Sequence, residues 1–228
     1  MKAVLVSSMP VAQNIKTFTF RPSEPLPHEA GQFTTIILEH PGADDRGVKR
    51  WFTISSSPTE PDISITTKFS PERSSSFKKA LFGLAVGASV EMLPAEGDFV
   101  LPPDAGLELI FIAGGMGITP FRSMIKYLAD SAQKRSIKLL YGLQSSGEMA
   151  FGDLFKSYKG LQFVPSVGER FTTAGLMKTI GSPVGKLVYL SGPEPMVEAL
   201  TDSLVAAGLP ADQLKSDYFP GYENNYSN

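Results

Sequence analysis

Near residue 102 the apolar residues of this chain change their spacing, and that change constrains the fold more than any single motif does. Before it the pattern is period two with turn punctuation. IKTFTF (residues 15–20), GQFTTIIL (31–38), RWFTISS (50–56), ISITTKF (63–69), ASVEML (88–93) and DFVL (98–101) are short runs rich in β-branched and aromatic residues. The N-terminal MKAVLVSSMPVAQ alternates similarly and reads as a strand, its apolar core being too short for a secretory signal. RPSEPLP, EHPGADDRG, SPTEPD and LPAEG between the runs are turn chemistry. Six antiparallel strands at this spacing predict a small closed barrel, which removes exposed edges. SSSFKKALFGL (74–84) predicts one short helix inside it.

Beyond residue 106 apolar runs alternate with helix-like segments. ELIFIA, IKLLYG, LQFVPSV, KLVYLSG and QLKSDYF read as strands; Phe121, Met124, Ile125 and Leu128, and later Met196, Val197, Leu200 and Leu204, fall on single helix faces. That alternation predicts a five-stranded parallel α/β sheet with right-handed crossovers. A chain of 228 residues suffices for two such units. The linker LPPDAG places them at 1–102 and 106–228.

Composition removes several chemistries. Zero cysteines exclude disulfides, thiolate zinc, cysteine-held iron–sulfur clusters and a catalytic thiol within this sequence. The two histidines, His28 and His40, sit in polar, Pro-flanked stretches, so no histidine dyad or metal site is expected. A net charge of −2 gives no warrant for nucleic acid as a main partner. No apolar run approaches membrane-spanning length, and the expected location is the cytoplasm.

Three stretches carry chemistry. AGGMGITPF (113–121) follows the first apolar strand of the second half and opens a helix, where a parallel sheet presents ligands. Glycine lets backbone approach a ligand, Pro120 fits a first helical turn, open amides favour a pyrophosphate, and Thr119 adds a hydroxyl at the rim. YLSGPEPMVEAL (189–200) repeats the arrangement, so two turns face one crevice, as a dinucleotide requires. In the barrel half, KRWFTISSSP alternates Arg50 and Phe52 against Trp51 and Thr53, and RSSSFKKAL (73–81) opens its helix with three serines. An arginine and a serine-rich helix start suit a pyrophosphate, with an aromatic to stack on a flat ring.

Through these stretches the chain resembles the ferredoxin–NADP reductase superfamily. The flavin motif appears as Arg50, Trp51, Phe52, Thr53, its second segment as Ser74, Ser75, Ser76 and Phe77, the nicotinamide motif GGxGITP as residues 114–120, and the later motif as Ser191, Gly192 and Pro193 with Met196 and Val197. The resemblance implies an FAD-binding barrel, FMN being the lesser alternative, and an NADH- or NADPH-binding α/β domain. It implies Arg50 on the flavin pyrophosphate, Phe52 stacked on the isoalloxazine, Thr53 near flavin N5 and Ser75 and Ser76 donating to the pyrophosphate. Trp51, Thr66, Thr67, Lys68 and Ser74 complete the implied flavin set. Gly114, Gly115, Gly117, Ile118, Thr119, Pro120, Gln144 and Ser145 take the coenzyme, with Ser191, Gly192, Pro193 and Met196 around the nicotinamide; Thr53 and Ser191 are the implied catalytic residues. In the C-terminal DYFPGYENNYSN, Phe219 and Tyr222 are candidates to cover the flavin and Asp217 or Glu223 for a nearby carboxylate.

The sequence departs from the family pattern in three places. Phe52 replaces the usual tyrosine, Ser191 replaces the usual cysteine, and Gln144, Ser145 and Ser146 stand where NADPH-using relatives offer an arginine. The coenzyme preference is therefore open. The implied activity is hydride transfer from NAD(P)H to the flavin and electron transfer to a separate carrier such as ferredoxin, flavodoxin or an oxygenase component. The alternatives are a reductase of free flavin or a small acceptor, and a non-catalytic flavin-bearing subunit. The expected state is a monomer or weak homodimer.

Overall fold

The structure, a computed structural model, describes residues 1–182 and 184–219. The first half contains β1 (Lys2–Ala12), β2 (Ile15–Pro22), β3 (Phe33–Ile37), β4 (Lys49–Thr53), β5 (Ile63–Lys68), α1 (Ser76–Phe82) and β6 (Ser89–Met92). The six strands form one antiparallel sheet in the order β4-β3-β6-β1-β2-β5. It curls until its edges meet: Ile54 bridges Ile65, and the Ser55 N–H donates to the Ser64 carbonyl at 2.8 Å. Alternation drives this, because inward-facing Phe18, Phe20, Ile36, Ile54 and Ile65 are all buried. Helix α1 plugs the barrel with Phe77 and Leu81; the Ser75 hydroxyl caps it by accepting from the Lys78 N–H.

The second half runs β7 (Glu108–Gly114), α2 (Ile118–Asp130), β8 (Ile137–Leu143), α3 (Gly152–Ser157), β9 (Leu161–Val167), α4 (Thr173–Ile180), β10 (Lys186–Pro193), α5 (Glu194–Ala206) and β11 (Leu214–Phe219). These strands form a parallel sheet in the order β11-β10-β7-β8-β9. Both faces are covered. Phe111 joins Phe121, Leu139 and Tyr189 on one side, while its neighbours Ile110 and Ile112 join Val188, Leu190, Val197 and Leu204 on the other. The chain moves outward from β7 to β8 and β9, then returns to β10 on the other side. The switch point lies between β7 and β10, the position at which such sheets bind ligands.

One expected strand is absent. DFVL is not extended into either sheet, and the sixth barrel strand is β1 instead. Phe99 is buried in the core of the second half, 5.1 Å from the Tyr189 ring and 5.8 Å from Phe121, and the Tyr189 hydroxyl donates to the Val100 carbonyl at 2.7 Å. Its apolar character serves the α/β core rather than a ladder. Among the described residues no helix is long and apolar enough to cross a membrane, and no group of three or more His, Asp or Glu could hold a metal.

Candidate cofactor cleft

The two small-residue turns lie side by side at the switch point. In the ladder Ser191 is paired with Ala113. A Cβ on Gly117 would stand 2.0 Å from the Ser191 carbonyl oxygen, and one on Gly192 would stand 3.2 Å from the Gly114 Cα. Met196 packs over the junction, its sulfur 2.5 Å from where a Gly114 Cβ would be. Gly114, Gly117 and Gly192 are thus required by the closeness of the turns to each other, not by a ligand. Gly115 differs. It adopts φ +52°, and nothing lies within 4 Å of its missing Cβ, so its backbone borders open space.

Helix α2 grows from this turn without a side-chain cap; the Ile118 N–H donates back to the Gly115 and Met116 carbonyls, so the single turn Gly115–Gly117 runs directly into the helix. Pro120 sits in the first helical turn and is buried with Ile118. Thr119 corrects the sequence reading. Its hydroxyl is buried and donates to the Met116 carbonyl at 2.9 Å, satisfying an acceptor of the single turn Gly115–Gly117 rather than facing the rim. The Ser191 hydroxyl, by contrast, is fully buried and faces the Asp217 carboxyl of the adjoining strand. An open glycine at the switch point, at the start of a helix, fits the close backbone approach that a nicotinamide dinucleotide requires.

Across the seam, β5 packs against the turn Gly115–Gly117. Thr66 and Thr67 on that strand are buried, and Thr66 Oγ1 is 2.8 Å from Thr17 Oγ1 and 2.9 Å from Ser55 Oγ, a hydroxyl ladder along the barrel wall. Thr53 is buried at the end of β4, paired with Phe33. The alternation on β4 is as read: Trp51, 66% exposed, lies beside Phe33, and Phe52 points the other way. The stacking role of Phe52 needs correction, however. Its ring is only 8% exposed and packs 5.9 Å from Phe77, so it is spent on the barrel core, and Trp51 is the open ring of this strand.

Arg50 lies with its guanidinium 5.3 Å over the Phe77 ring and donates to the carbonyls of Arg46, Gly47 and Lys49. It also meets Asp44 at 3.2 Å. Asp44 in turn accepts from the Ser76 N–H at 3.0 Å, while its own N–H donates to Ser76 Oγ at 2.9 Å. Those bonds, above all the one from the Ser76 N–H, hold the Asp44 carboxyl down to about 2. The serines are therefore not idle donors. Ser74 Oγ accepts from the Ser70 N–H, Ser75 caps α1, and Ser76 is shared between Asp44 and His40. The expected Ser75 and Ser76 contacts to a pyrophosphate would have to displace this carboxylate first. Next to them opens a cavity of about 630 Å³ lined by His40, Asp44, Arg46, Ser74 to Ser76 and Lys79. Its two cations and hydroxyls suit a phosphate-bearing group.

The loop after β8 is tied to the barrel. Lys68 ion-pairs with Glu148 at 2.6 Å, and the Gln13 N–H donates to the Gly147 carbonyl at 2.8 Å. Lys68, expected among the flavin residues, thus reaches the loop after β8; Gln144 and Ser145 on that loop are exposed. Of Phe219 only the backbone, paired with Pro193, is described, and Tyr222 and Glu223 lie outside the described residues.

Asp217 pairs with Ser191 in the β10–β11 ladder. Burial pushes its carboxyl up to about 6, the neighbouring Ser191 hydroxyl opposes that, and Asp98 adds a smaller upward push. Unfolded, the same group titrates near about 3.9. The folded state is favoured while Asp217 is protonated, so its contribution is fully present below about pH 4 and is lost as pH rises through 6. Asp217→Asn should therefore stabilise the protein above pH 6 by roughly 1–2 kcal/mol and leave it unchanged at pH 4. Thermal melts of both proteins across that range check this; a pH-independent difference would refute it.

Four functional candidates escaped the sequence: Asp44, Arg46, Lys79 and Arg122. Asp44 and Arg46 belong to EHPGADDRG, which has an ordinary turn composition, and only the fold brings that turn to Arg50.

Relatives agree with this architecture. The oxidoreductase NAD-binding domain family matches residues 111–167. A flavohemoprotein of Xylella fastidiosa (strain Temecula1) is 27% identical over 234 residues, 95% of this chain and 58% of the relative. The ferredoxin reductase component of 3-ketosteroid-9-alpha-monooxygenase from Mycobacterium tuberculosis (strain H37Rv) is 27% identical over 214 residues, 90% of this chain and 58% of the relative. The chain thus spans little more than half the length of these curated relatives. A solved ferredoxin-NADP+ reductase from Plasmodium falciparum shares the fold, with a TM-score of 0.80 over 96% of this chain and 95% of that one at 16% identity. With its antiparallel barrel and its switch-point glycine turns, the chain shares the two-part fold of that reductase, and residues 111–167 match the oxidoreductase NAD-binding domain family.

Proposed function

We propose that this chain is a flavin-dependent NAD(P)H oxidoreductase module, with flavin held by the barrel and coenzyme by the α/β half, divided at the 102–106 linker. The observation that carries the reading is the packing of β5, a barrel strand, directly against the glycine turn Gly115–Gly117. That contact gives two cofactors a shared seam. A bound flavin supplies what side chains lack, a ring that takes two electrons together and returns them singly. The protein's task is then placement and exclusion of water.

In this reading Arg50 holds a flavin phosphate, and the cavity beyond it, with Arg46 and Lys79, accommodates the adenylate half of FAD, which favours FAD over FMN. Thr53, Thr66 and Thr67 line the ring side. The open backbone at Gly115 receives the coenzyme pyrophosphate, and Ser191, with Asp217 beside it, stands on the nicotinamide side. Asp217 keeps a proton beside Ser191 up to about pH 6. Electrons leave to a separate carrier protein or oxygenase component, as the names of the relatives suggest, and the site of action is the cytoplasm, where nicotinamide coenzymes are abundant.

Anaerobic titration of the purified protein with NADH and then NADPH, following flavin absorbance, tests this reading. Bleaching by either coenzyme is the expected result. A colourless protein that takes up no flavin from FAD or FMN would overturn it. A second reading, a reductase of exchangeable flavin, is favoured by the Asp44 carboxylate already on Arg50. Flavin that stays bound through gel filtration argues against it.

A further inference from the structure

We propose that Arg122 is a positioning residue that sets the flavin strand against the nicotinamide turn, an inference that rests on the function proposed above. Arg122 lies one turn into α2, the helix that begins at the glycine turn. Its guanidinium forks across the seam: Nη1 donates to the Ser55 carbonyl at 2.8 Å and to Glu60 Oε2, and Nη2 donates to Glu60 Oε1 at 2.9 Å. Ser55 is two residues beyond Thr53. The loop that carries Glu60 is therefore the direct continuation of the strand that carries Arg50 to Thr53.

Neighbouring bonds make the attachment stiff. Glu60 also accepts from the Ser57 N–H at 2.6 Å, which closes its loop on itself. Ser123, next to Arg122, buries its hydroxyl against the Ser56 carbonyl at 2.6 Å. Two helical turns further on, Asp130 takes the Thr59 hydroxyl and the Lys126 ammonium. Burial alone would raise the Glu60 carboxyl, but Arg122 and the Ser57 N–H hold it below its usual range, so the pair stays charged.

The same guanidinium reaches a third segment. Its carbon lies 5.7 Å over the Phe151 ring, at the end of the coenzyme loop that follows β8. Phe151 is a non-glycine residue at φ +62°, a strained conformation that persists only when neighbours over-determine it. Arg122 therefore joins the flavin strand, the nicotinamide turn and the adenosine-side loop at one planar group. A bidentate carboxylate and a stacked ring fix the orientation of that group as well as its position.

The experiment compares wild type, Arg122→Ala, Glu60→Gln and the double variant in two measurements. In stopped flow at saturating coenzyme, Arg122→Ala is expected to slow flavin reduction about tenfold to a hundredfold, while changing flavin affinity less than about twofold. Glu60→Gln should act in the same direction by less, and the double variant should be no slower than Arg122→Ala. A loss confined to coenzyme KM, or independent losses that multiply in the double variant, would overturn the proposal. The second measurement is amide hydrogen exchange of residues 55–60 without added cofactor. Protection should fall in Arg122→Ala, and unchanged protection refutes the attachment even if Arg122→Ala folds poorly, because Glu60→Gln is measured beside it. Wild type that binds no flavin would instead sink the proposed function, and the exchange result would still decide whether Arg122 holds the loop.

Discussion

Gly117→Ala should abolish the native coenzyme crevice, with a loss of stability of about 3 kcal/mol or more. The added methyl would lie 2.0 Å from the Ser191 carbonyl oxygen, 2.3 Å from its carbon and 2.7 Å from the Gly192 nitrogen. All three are backbone atoms of a strand buried on both sides, so no side chain can swing away. Either β10 separates from the turn or α2 is pushed off β7. Gly115→Ala is the matched contrast. It costs roughly 1–2 kcal/mol for the left-handed backbone but meets nothing within 4 Å, so the fold survives. Its methyl enters the space offered to the coenzyme and should weaken coenzyme affinity without unfolding the protein. Thermal melts and coenzyme binding, measured on both variants, separate the two cases. Equal stability losses would mean that the turn glycines do not divide into a packing set and a binding position.

Arg50→Ala is expected to weaken flavin binding about tenfold to a hundredfold, the worth of one or two charge-assisted hydrogen bonds to a phosphate. The measured effect is a net one, because Arg50 already meets Asp44 at 3.2 Å and three carbonyls. A flavin phosphate bound as proposed would compete with the Asp44 carboxylate for the same guanidinium and for the Ser76 N–H. Asp44→Asn should consequently shift flavin affinity in the opposite direction, upward by a few-fold. Flavin fluorescence on dilution reads both. If Asp44→Asn weakens binding as much as Arg50→Ala does, the loop carries the flavin rather than competing with it.

The regular parts of this molecule were legible because their information is local. Period-two runs became barrel strands, and the five apolar runs after residue 106 became the parallel sheet with the glycine turns at the ends of β7 and β10. DFVL failed because a four-residue apolar run looks alike in a ladder and in a packed connection; only the distant Tyr189 and Phe121 distinguish them. For Thr119, Ser75 and Ser76 the sequence shows a hydroxyl but not which carbonyl or amide already engages it. Arg122 and Glu60 stand 62 residues apart, a separation at which no spacing rule operates.

The burial of Phe99 in the α/β core has a consequence for exchange of parts between proteins. The ring belongs by sequence to the barrel side of the linker and by packing to the other side. A cassette cut at residue 102 would take away a wall of the nucleotide half and leave a greasy stub on the barrel. Swapping halves between chains of this fold is therefore a problem of matching one aromatic residue and its socket, and the cut that respects the core falls ahead of Asp98.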